Sequence, residues 1–347
     1  MGTTGIVFDK VFKDHDTGPG HPETAERIDH IGNALEKSGL WDDLEKIGLR
    51  EATREEITRV HTERHVDNIA ATDGKDRTYM DGDTPTSSLS YKTALIAAGS
   101  LLSAVDRVMD GSVKNAFAFI RPPGHHAESD KAMGFCLFNN VAIAAEHLKA
   151  VHGLKRVLIV DWDVHHGNAT QHSFYKDPSV LYFSTHRYPF YPGTGGVDET
   201  GSGEGKGYNI NLPMPAGMND GTYDAIFKKV LEPVARDYKP EFILVSAGFD
   251  THERDPLGGM DITSEGFARM TGILKGLAEE LCKGRLAVTL EGGYSLGGQA
   301  ESVVEVLSVM SGKKEAPSGD LEPQEIYHRL VEKLKEYLGD KWPQIGS

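Results

Sequence analysis

The segment 161–168, DWDVHHGN, concentrates side chains that could bind a metal ion. It places Asp161, Asp163 and His165 at alternate positions, so that on an extended backbone all three project to one side. Two carboxylates and an imidazole facing one way repel each other unless they share a cation or a proton. Another carboxylate, Asp250 in SAGFD, follows a separate apolar run. We predict that Asp163, His165 and Asp250 bind a metal ion and that Asp161 supports them.

This donor set favours a catalytic metal over a structural one. One nitrogen and two oxygen donors leave coordination positions for water and a substrate carbonyl. Zinc is favoured, and ferrous iron or cobalt also fits these ligands. The alternative is an exposed polar strand end with a hydrogen-bonded histidine. The apolar run RVLIV before the cluster argues against that alternative.

A histidine pair and a tyrosine could supply the remaining chemistry. His125 and His126 stand in PPGHHA, and each imidazole needs a partner that fixes its tautomer. Asp161 can serve one and Asn168 the other. A carboxylate keeps its histidine more cationic than an amide does, so the pair can divide charge stabilisation and proton transfer. Tyr294, after two glycines, could donate to a developing oxyanion or simply pack in the core.

Two aromatic residues lie near these loops in the sequence. Phe135 in MGFC and Tyr191 in PFYPGTG could wall a narrow apolar tunnel, with core packing as the equally open alternative.

The elements that must position these residues alternate along the 347-residue chain. Short apolar runs are separated by amphipathic helical segments, which predicts an α/β fold with a mostly parallel sheet flanked by helices on both faces. Ligands collect at the carboxyl ends of such strands, where the candidate residues stand. The predicted strands are 5–9, 116–120, 156–163, 180–186, 208–213, 242–250 and 286–294.

The sequence predicts a single domain with a terminal helix. We expect a catalytic domain over 1–312 and a C-terminal helical extension over 313–347 that packs on it. Ile326, Leu330, Leu334 and Leu338 repeat at four-residue spacing in that extension.

Composition excludes several classes of function. Lys and Arg number 37 against 52 Asp and Glu, a net charge of −15, which argues against direct nucleic-acid binding. No apolar run reaches the length of a membrane span, so no membrane partner is expected. Two distant cysteines, Cys136 and Cys282, indicate a reduced cytoplasmic protein. A homo-oligomer is compatible with the sequence.

Taken together, the motifs resemble the zinc-dependent histone deacetylase family of the arginase–deacetylase superfamily. RPPGHHA, GFCLFNN, VDWDVHHGN, YPGTG, SAGFD and LEGGY occur in family order over roughly residues 1–310. Asn168 in DWDVHHGN is similar to class II and bacterial histone deacetylase-like amidohydrolases. His252 stands where dinuclear manganese enzymes carry a second aspartate, so one metal ion is expected.

The resemblance implies a role for each candidate. Zinc would lie on Asp163, His165 and Asp250. His126 would be the general base and acid, His125 an electrostatic helper paired with Asp161, and Tyr294 would polarise the amide carbonyl. The resemblance also places Phe135 and Tyr191 beside an acyl-lysine tunnel, Arg27 at an acetate exit channel and Asp83 at a substrate-gripping position.

The resemblance further implies structural potassium at two positions. The first maps to Asp161, Asp163, His165, Ser184 and Thr185. The second maps to Phe174, Asp177, Val180 and Tyr208.

The substrate implied is an acetylated lysine on a protein or peptide. Leu257 stands where the polyamine-selective member of the family carries a glutamate. That departure weakens the alternative of an acetylpolyamine or another small N-acyl amine. A non-catalytic acyl-lysine binding module is a remote alternative, because such a module should have lost a ligand or Tyr294.

Overall fold

The apolar runs form the strands of a parallel sheet. A computed structural model describes residues 3–346. Over that range, eight strands form one parallel sheet in the order β2-β1-β5-β10-β9-β6-β7-β8, and β3 and β4 form a small antiparallel pair. The strands are β1 (Thr4–Val7), β2 (Glu45–Lys46), β3 (Thr78–Tyr79), β4 (Pro85–Thr86), β5 (Asn115–Ala118), β6 (Val157–Asp161), β7 (Val180–Arg187), β8 (Asn209–Met214), β9 (Phe242–Ala247) and β10 (Leu286–Leu290).

Helices flank this sheet. One group packs α1 on α10 and α10 on α9, and another packs α4 on α5; both groups contact strands. The helices are α1 (Glu26–Ser38), α2 (Arg54–Thr58), α3 (Glu63–Ala70), α4 (Ser90–Met109), α5 (Asn140–Ala150), α6 (Asn168–Phe174), α7 (Asp220–Ile226), α8 (Glu232–Tyr238), α9 (Ser264–Cys282), α10 (Leu296–Ser311) and α11 (Ile326–Leu338). The predicted α/β fold with a parallel central sheet is confirmed. Within the described residues, no helix is long and apolar enough to cross a membrane.

Five predicted strands are too long at their carboxyl ends, and β1 and β5 end at Val7 and Ala118 rather than at 9 and 120. The strands β6, β9 and β10 end at Asp161, Ala247 and Leu290 rather than at 163, 250 and 294. The chain turns there, and the residues that follow these strands lie close together. A Cβ on Gly248, for example, would lie 2.1 Å from Oδ2 of Asp163.

The amphipathic segment 224–238 is not one continuous α-helix. A π-helical turn over Phe227–Leu231 separates α7 from α8. Pro233 stands in the first turn of α8, where its missing amide N–H cannot continue the α-helical ladder from the preceding turn.

The C-terminal segment packs on the rest of the chain. Leu330, Leu334 and Leu338 of α11 are buried, whereas Ile326 is partly exposed. Beyond the helix, the indole Nε1 of Trp342 donates to the carbonyl of Gly207 at 2.7 Å. The division of the chain at residue 312 stays a prediction.

Candidate active site

The register of the sheet brings three loops together. Asp161, the last residue of β6, pairs with Ser184 in β7 and Ser246 in β9, and Ser246 pairs with Thr289 in β10. The carboxyl ends of these strands are therefore level. The loops that leave them carry Asp163 and His165, then Asp250, then Tyr294.

Asp163, His165 and Asp250 converge within this group of loops. Nδ1 of His165 lies 3.0 Å from Oδ1 of Asp163 and 3.1 Å from Oδ2 of Asp250. Backbone amides hold the carboxylates from the other side: Val164 donates to Asp250 at 2.8 Å and Gly292 to Asp163 at 2.8 Å. Both aspartates are fully buried.

The space between these donors fits a metal ion. Oδ2 of Asp250 is buried and accepts no hydrogen bond from the described residues. A Cβ on Gly292 would lie 2.2 Å from that oxygen and 2.6 Å from Oδ2 of Asp163, so glycine keeps this space open. One imidazole nitrogen and two carboxylates form a donor set that suits zinc and related divalent ions.

The electrostatics show that the two carboxylates need a positive partner. Burial, with the charge of Asp163, raises the pKa of Asp250 to about 7. Burial alone would lower the pKa of His165, but the two carboxylates outweigh it and raise that pKa to about 9. The cluster therefore stabilises a cation at this position, whether a proton or a metal ion.

Asp161 lies apart from that cluster. The backbone bends after the end of β6, so the extended conformation predicted for residues 161–165 is wrong. The carboxylate of Asp161 lies 3.0 Å from Nδ1 of His125 and accepts a hydrogen bond from the Tyr182 hydroxyl at 3.0 Å.

The two adjacent histidines have different partners. Their ring centres are 4.0 Å apart, and Nδ1 of His126 lies 2.7 Å from Oδ1 of Asn168. Burial would lower the pKa of His125, but Asp161, Asp163 and other carboxylates raise it to about 10. Burial and the nearby charges of His125 and His165 hold the pKa of His126 well below its usual range.

Glu128 and His172 extend the hydrogen bonding beyond Asn168, which the sequence alone does not indicate. Nδ2 of Asn168 donates to the Glu128 carboxylate, and Nδ1 of His172 lies 2.8 Å from the same oxygen. In the sequence, the only indication of this hydrogen bonding is that an acid, Glu128, stands two residues after His126.

Two further buried acids accept hydrogen bonds from the loops of the candidate site, and neither was predicted from the sequence. Glu291 accepts from the backbone amides of Gly124 at 2.7 Å and His125 at 3.2 Å. Asp255 accepts from the backbone amide of Tyr294 at 2.6 Å. The position of Glu291 directly before the Gly-Gly pair could have identified it.

A pocket of about 170 Å³ opens onto the cluster. Its exposed side includes Tyr191 and Leu257, which are 37 % and 40 % exposed. The Tyr191 ring lies 5.1 Å from the His126 ring, edge to face. The pocket is lined by Asp83, His126, Gly134, Phe135, His165, Tyr191, Leu257 and Tyr294.

Phe190 is an aromatic neighbour of His165 that was not predicted from the sequence. Its ring stacks on His165 with centres 5.2 Å apart and planes 13° from parallel. The guanidinium of Arg187 covers its ring at 4.2 Å.

Arg27 lies behind the loop that carries Tyr294. It is fully buried and donates to the carbonyls of Glu291 at 2.6 Å and Gly292 at 2.8 Å. Its guanidinium carbon is 5.6 Å from the centre of the Tyr294 ring. The acetate channel implied for Arg27 stays a prediction.

The residues implied for potassium form two local groups. In the first, the Thr185 hydroxyl donates to the carbonyl of Asp161 at 3.5 Å, beside Ser184. In the second, the Asp177 carboxylate lies 2.6 Å from Lys149, and the backbone amide of Asp177 donates to the Phe174 carbonyl. Both potassium sites stay predictions.

With this geometry in place, comparison with known proteins decides the family. Residues 21–310 match the model of the histone deacetylase domain. The chain belongs to the histone deacetylase family. Like other histone deacetylases, it is therefore assigned to the hydrolases. A crystal structure of an HDA15 HD domain superposes with a TM-score of 0.93 at 40% identity, covering 99% of this chain and 98% of that one.

Curated relatives include both a chain of similar length and longer ones. A probable deacetylase of Archaeoglobus fulgidus is 42% identical over 85% of this chain and 82% of its own length. Histone deacetylase 15 of Arabidopsis thaliana is 44% identical over 87% of this chain. The matched region spans only 54% of that plant protein.

Proposed function

We propose that the protein hydrolyses the amide of Nε-acetyl-lysine side chains in proteins or peptides. The observation that carries the proposal is a narrow pocket whose lining combines His126, His165 and Tyr294 with the aromatic ring of Phe135. An uncharged acyl-lysine stem suits such walls, and its amide would meet the polar groups at the inner end.

Asp163, His165 and Asp250 would hold the metal ion, for which we propose zinc. When bound, a divalent ion of this kind polarises a carbonyl oxygen and lowers the pKa of water. The remaining steps belong to side chains of the protein. The Tyr294 hydroxyl would donate to the amide oxygen and stabilise the negative charge that develops there.

His126 would move the proton. Because Nδ2 of Asn168 donates to the Glu128 carboxylate, Oδ1 of Asn168 faces His126 and accepts from the Nδ1–H of that histidine. Nε2 is then free to take a proton from the attacking water. The water oxygen bonds to the carbonyl carbon, the C–N bond breaks, and His126 returns the proton to the leaving lysine amine. The products are acetate and the lysine side chain.

His125 would have a different task. Its carboxylate partner, Asp161, favours the imidazolium form, whereas His126 has a neutral amide partner. A fixed positive charge beside the reacting amide would stabilise the developing oxyanion.

Both cysteines are free and buried, which suits the predicted cytoplasmic location.

Acetate release from a defined peptide tests the proposal. The metal-loaded protein is incubated with a peptide carrying Nε-acetyl-lysine and with the same peptide acetylated only at its N-terminus. We expect equal amounts of acetate and free ε-amine from the first peptide and none from the second. Hydrolysis of N-acetylputrescine without hydrolysis of the peptide would overturn the proposal.

A further inference from the structure

A second group of metal-binding side chains lies in the helical layer, at the ends of α4 and α5. Asp106 stands in the last turn of α4, His147 in the last turn of α5, and His152 in the turn that follows. Nε2 of each histidine lies 2.7 Å from the same oxygen, Oδ1 of Asp106. Two imidazole nitrogens and a carboxylate oxygen therefore meet at one point, all within 4.8 Å of one another.

One buried nitrogen in this group makes no hydrogen bond within the described part of the chain. The His147 side chain is 5 % exposed, and its Nδ1 makes no hydrogen bond to any of residues 3–346. If Nε2–H donates to Asp106, neutral His147 has a lone pair at Nδ1. That nitrogen lies 3.8 Å from Oε1 of Glu56, which is an unfavourable arrangement for two acceptors.

Glu56 cannot easily turn away from His147. Arg50 binds its two carboxylate oxygens, each at 2.8 Å, and the backbone amide of Thr53 donates to Oε2 at 2.8 Å. A carboxylate is thus fixed where a proton on Nδ1 of His147 would point. Histidines that bind metal through one nitrogen commonly donate the other N–H to a carboxylate in this way.

We propose that Asp106, His147 and His152 bind a divalent transition-metal ion of the zinc class. The ion takes Nε2 of both histidines and a carboxylate oxygen of Asp106, and water completes the coordination. The proton of His147 moves from Nε2 to Nδ1. The Nε2 proton of His152 moves to Nδ1 if that imidazole is neutral, or leaves to solvent if it is an imidazolium, so that both ligands are neutral imidazoles. The His147 Nδ1–H then faces Glu56, which removes the acceptor–acceptor contact.

The three ligand atoms already lie close to the separations that an ion requires, since all are within 4.8 Å of one another. Ligand atoms around tetrahedral zinc, bonded at about 2.0–2.1 Å, lie about 3.3 Å apart. The two histidine nitrogens would move about 0.6 Å away from Asp106, within reach of small side-chain rotations. Asp106 and His152 are partly exposed, at 40 % and 22 % of their side chains, so an ion can reach them from solvent.

Binding would join the ends of α4 and α5 and stabilise the folded chain, because these ligands are brought together only in the folded state. The cluster shares no residue with the candidate active site. The inference therefore does not depend on the proposed function.

Metal counting tests this site. The protein is stripped with a chelator, dialysed against micromolar zinc, and its zinc measured by mass spectrometry. We expect two ions per chain in the wild type and one in each of His152→Gln and Asp106→Asn, with the rate of peptide deacetylation unchanged. Exposed His30 provides the control, because His30→Gln should keep both ions.

A variant of the other cluster separates the two sites. Asp163→Asn should also bind one ion, and zinc should still raise its melting temperature. The stabilisation should vanish when Asp106→Asn is added. A single ion in the wild type that is lost in Asp163→Asn and kept in Asp106→Asn, or two ions in both His152→Gln and Asp106→Asn, would overturn the proposal.

Discussion

Glu128 fixes the orientation of the Asn168 amide, because its carboxylate accepts a hydrogen bond from Nδ2 and thereby turns Oδ1 toward His126. An amide can face a histidine with either its oxygen or its nitrogen. The carboxylate selects the oxygen. Through this choice Glu128 determines which nitrogen of His126 carries the proton.

Removing Glu128 should slow turnover without weakening substrate binding. In Glu128→Ala, the Asn168 amide can reverse, and its NH2 group would then stabilise the wrong tautomer of His126. We expect kcat to fall about 10–100-fold with little change in KM, as measured by steady-state kinetics. Glu146→Ala, a nearby acid without contact to Asn168, should keep the wild-type kcat.

The conservative variant Glu128→Gln distinguishes the orientation of Asn168 from the negative charge of Glu128 as the cause of the effect. Its amide oxygen can still accept from Asn168, so most of the activity should return. A loss as large as in Glu128→Ala would mean that the negative charge, and not the orientation of Asn168, is what matters.

Tyr294→Phe should reduce kcat by about 10²–10³-fold, because the transition state loses one oxyanion donor. The ring keeps its contact with Phe135, whose centre lies 6.0 Å away, so the fold and the metal content should not change. Parallel kinetics on Tyr188→Phe, which alters an exposed tyrosine outside the pocket lining, should match the wild type. Turnover near the wild-type rate in Tyr294→Phe would remove Tyr294 from the proposed mechanism.

The substitution Asp83→Asn should lower kcat/KM for peptides but not for small amides. Asp83 is exposed and lines the pocket, where its carboxylate can accept from backbone amides of a bound peptide. We expect kcat/KM to fall about tenfold or more for an acetylated peptide but to stay unchanged for N-butylacetamide, which has the acetylated alkyl stem and no backbone amide. Asp76→Asn, at an exposed acid outside the pocket lining, is the control. Equal losses on both substrates would contradict a peptide-gripping role.

Lowering the pH should destabilise the folded chain, because some buried histidines are held in their neutral form. Burial lowers the pKa of His61 to about 3, and both ring nitrogens are hydrogen-bonded, to the Glu128 carbonyl and the Asn139 amide. Between pH 6.5 and about 3 the unfolded chain binds a proton at His61 that the folded chain does not. The free energy of unfolding therefore decreases as the pH is lowered, by about 1.4 kcal/mol per pH unit for this residue.

Urea unfolding at pH 6 and pH 5 measures that slope. His61→Gln should have a shallower slope than the wild type by about 1.4 kcal/mol per pH unit, whatever its stability at neutral pH. His30→Gln, at an exposed histidine, should keep the wild-type slope. An unchanged slope in His61→Gln would show that His61 is not held neutral in the fold.

The sequence could predict the site to the extent that sheet topology determines it. Asp163, Asp250 and Tyr294 follow apolar strands, and the carboxyl ends of parallel strands must meet at one edge. Two of the supporting acids, Asp255 and Glu128, were not predictable in this way. Asp255 reaches the Tyr294 amide only because its loop turns back, and Glu128 depends on the same kind of local bend.

The helical cluster also lies beyond sequence reasoning. Asp106, His147 and His152 belong to segments whose relative rotation depends on how α4 packs against α5. Spacing within either helix carries no information about that packing, so the convergence on one carboxylate oxygen was visible only in the structure.

The most direct test of the central claim is metal replacement in the stripped protein. Zinc, iron(II), manganese or buffer alone is added, and acetate release from an acetyl-lysine peptide is measured. We predict that activity returns with zinc in the Asp106→Asn background, where the helical cluster is disabled, and reaches its maximum at one equivalent. Asp250→Asn should remain inactive at the same zinc concentration. Full activity in the stripped protein without added metal, or in Asp250→Asn, would contradict hydrolysis at the Asp163–His165–Asp250 site.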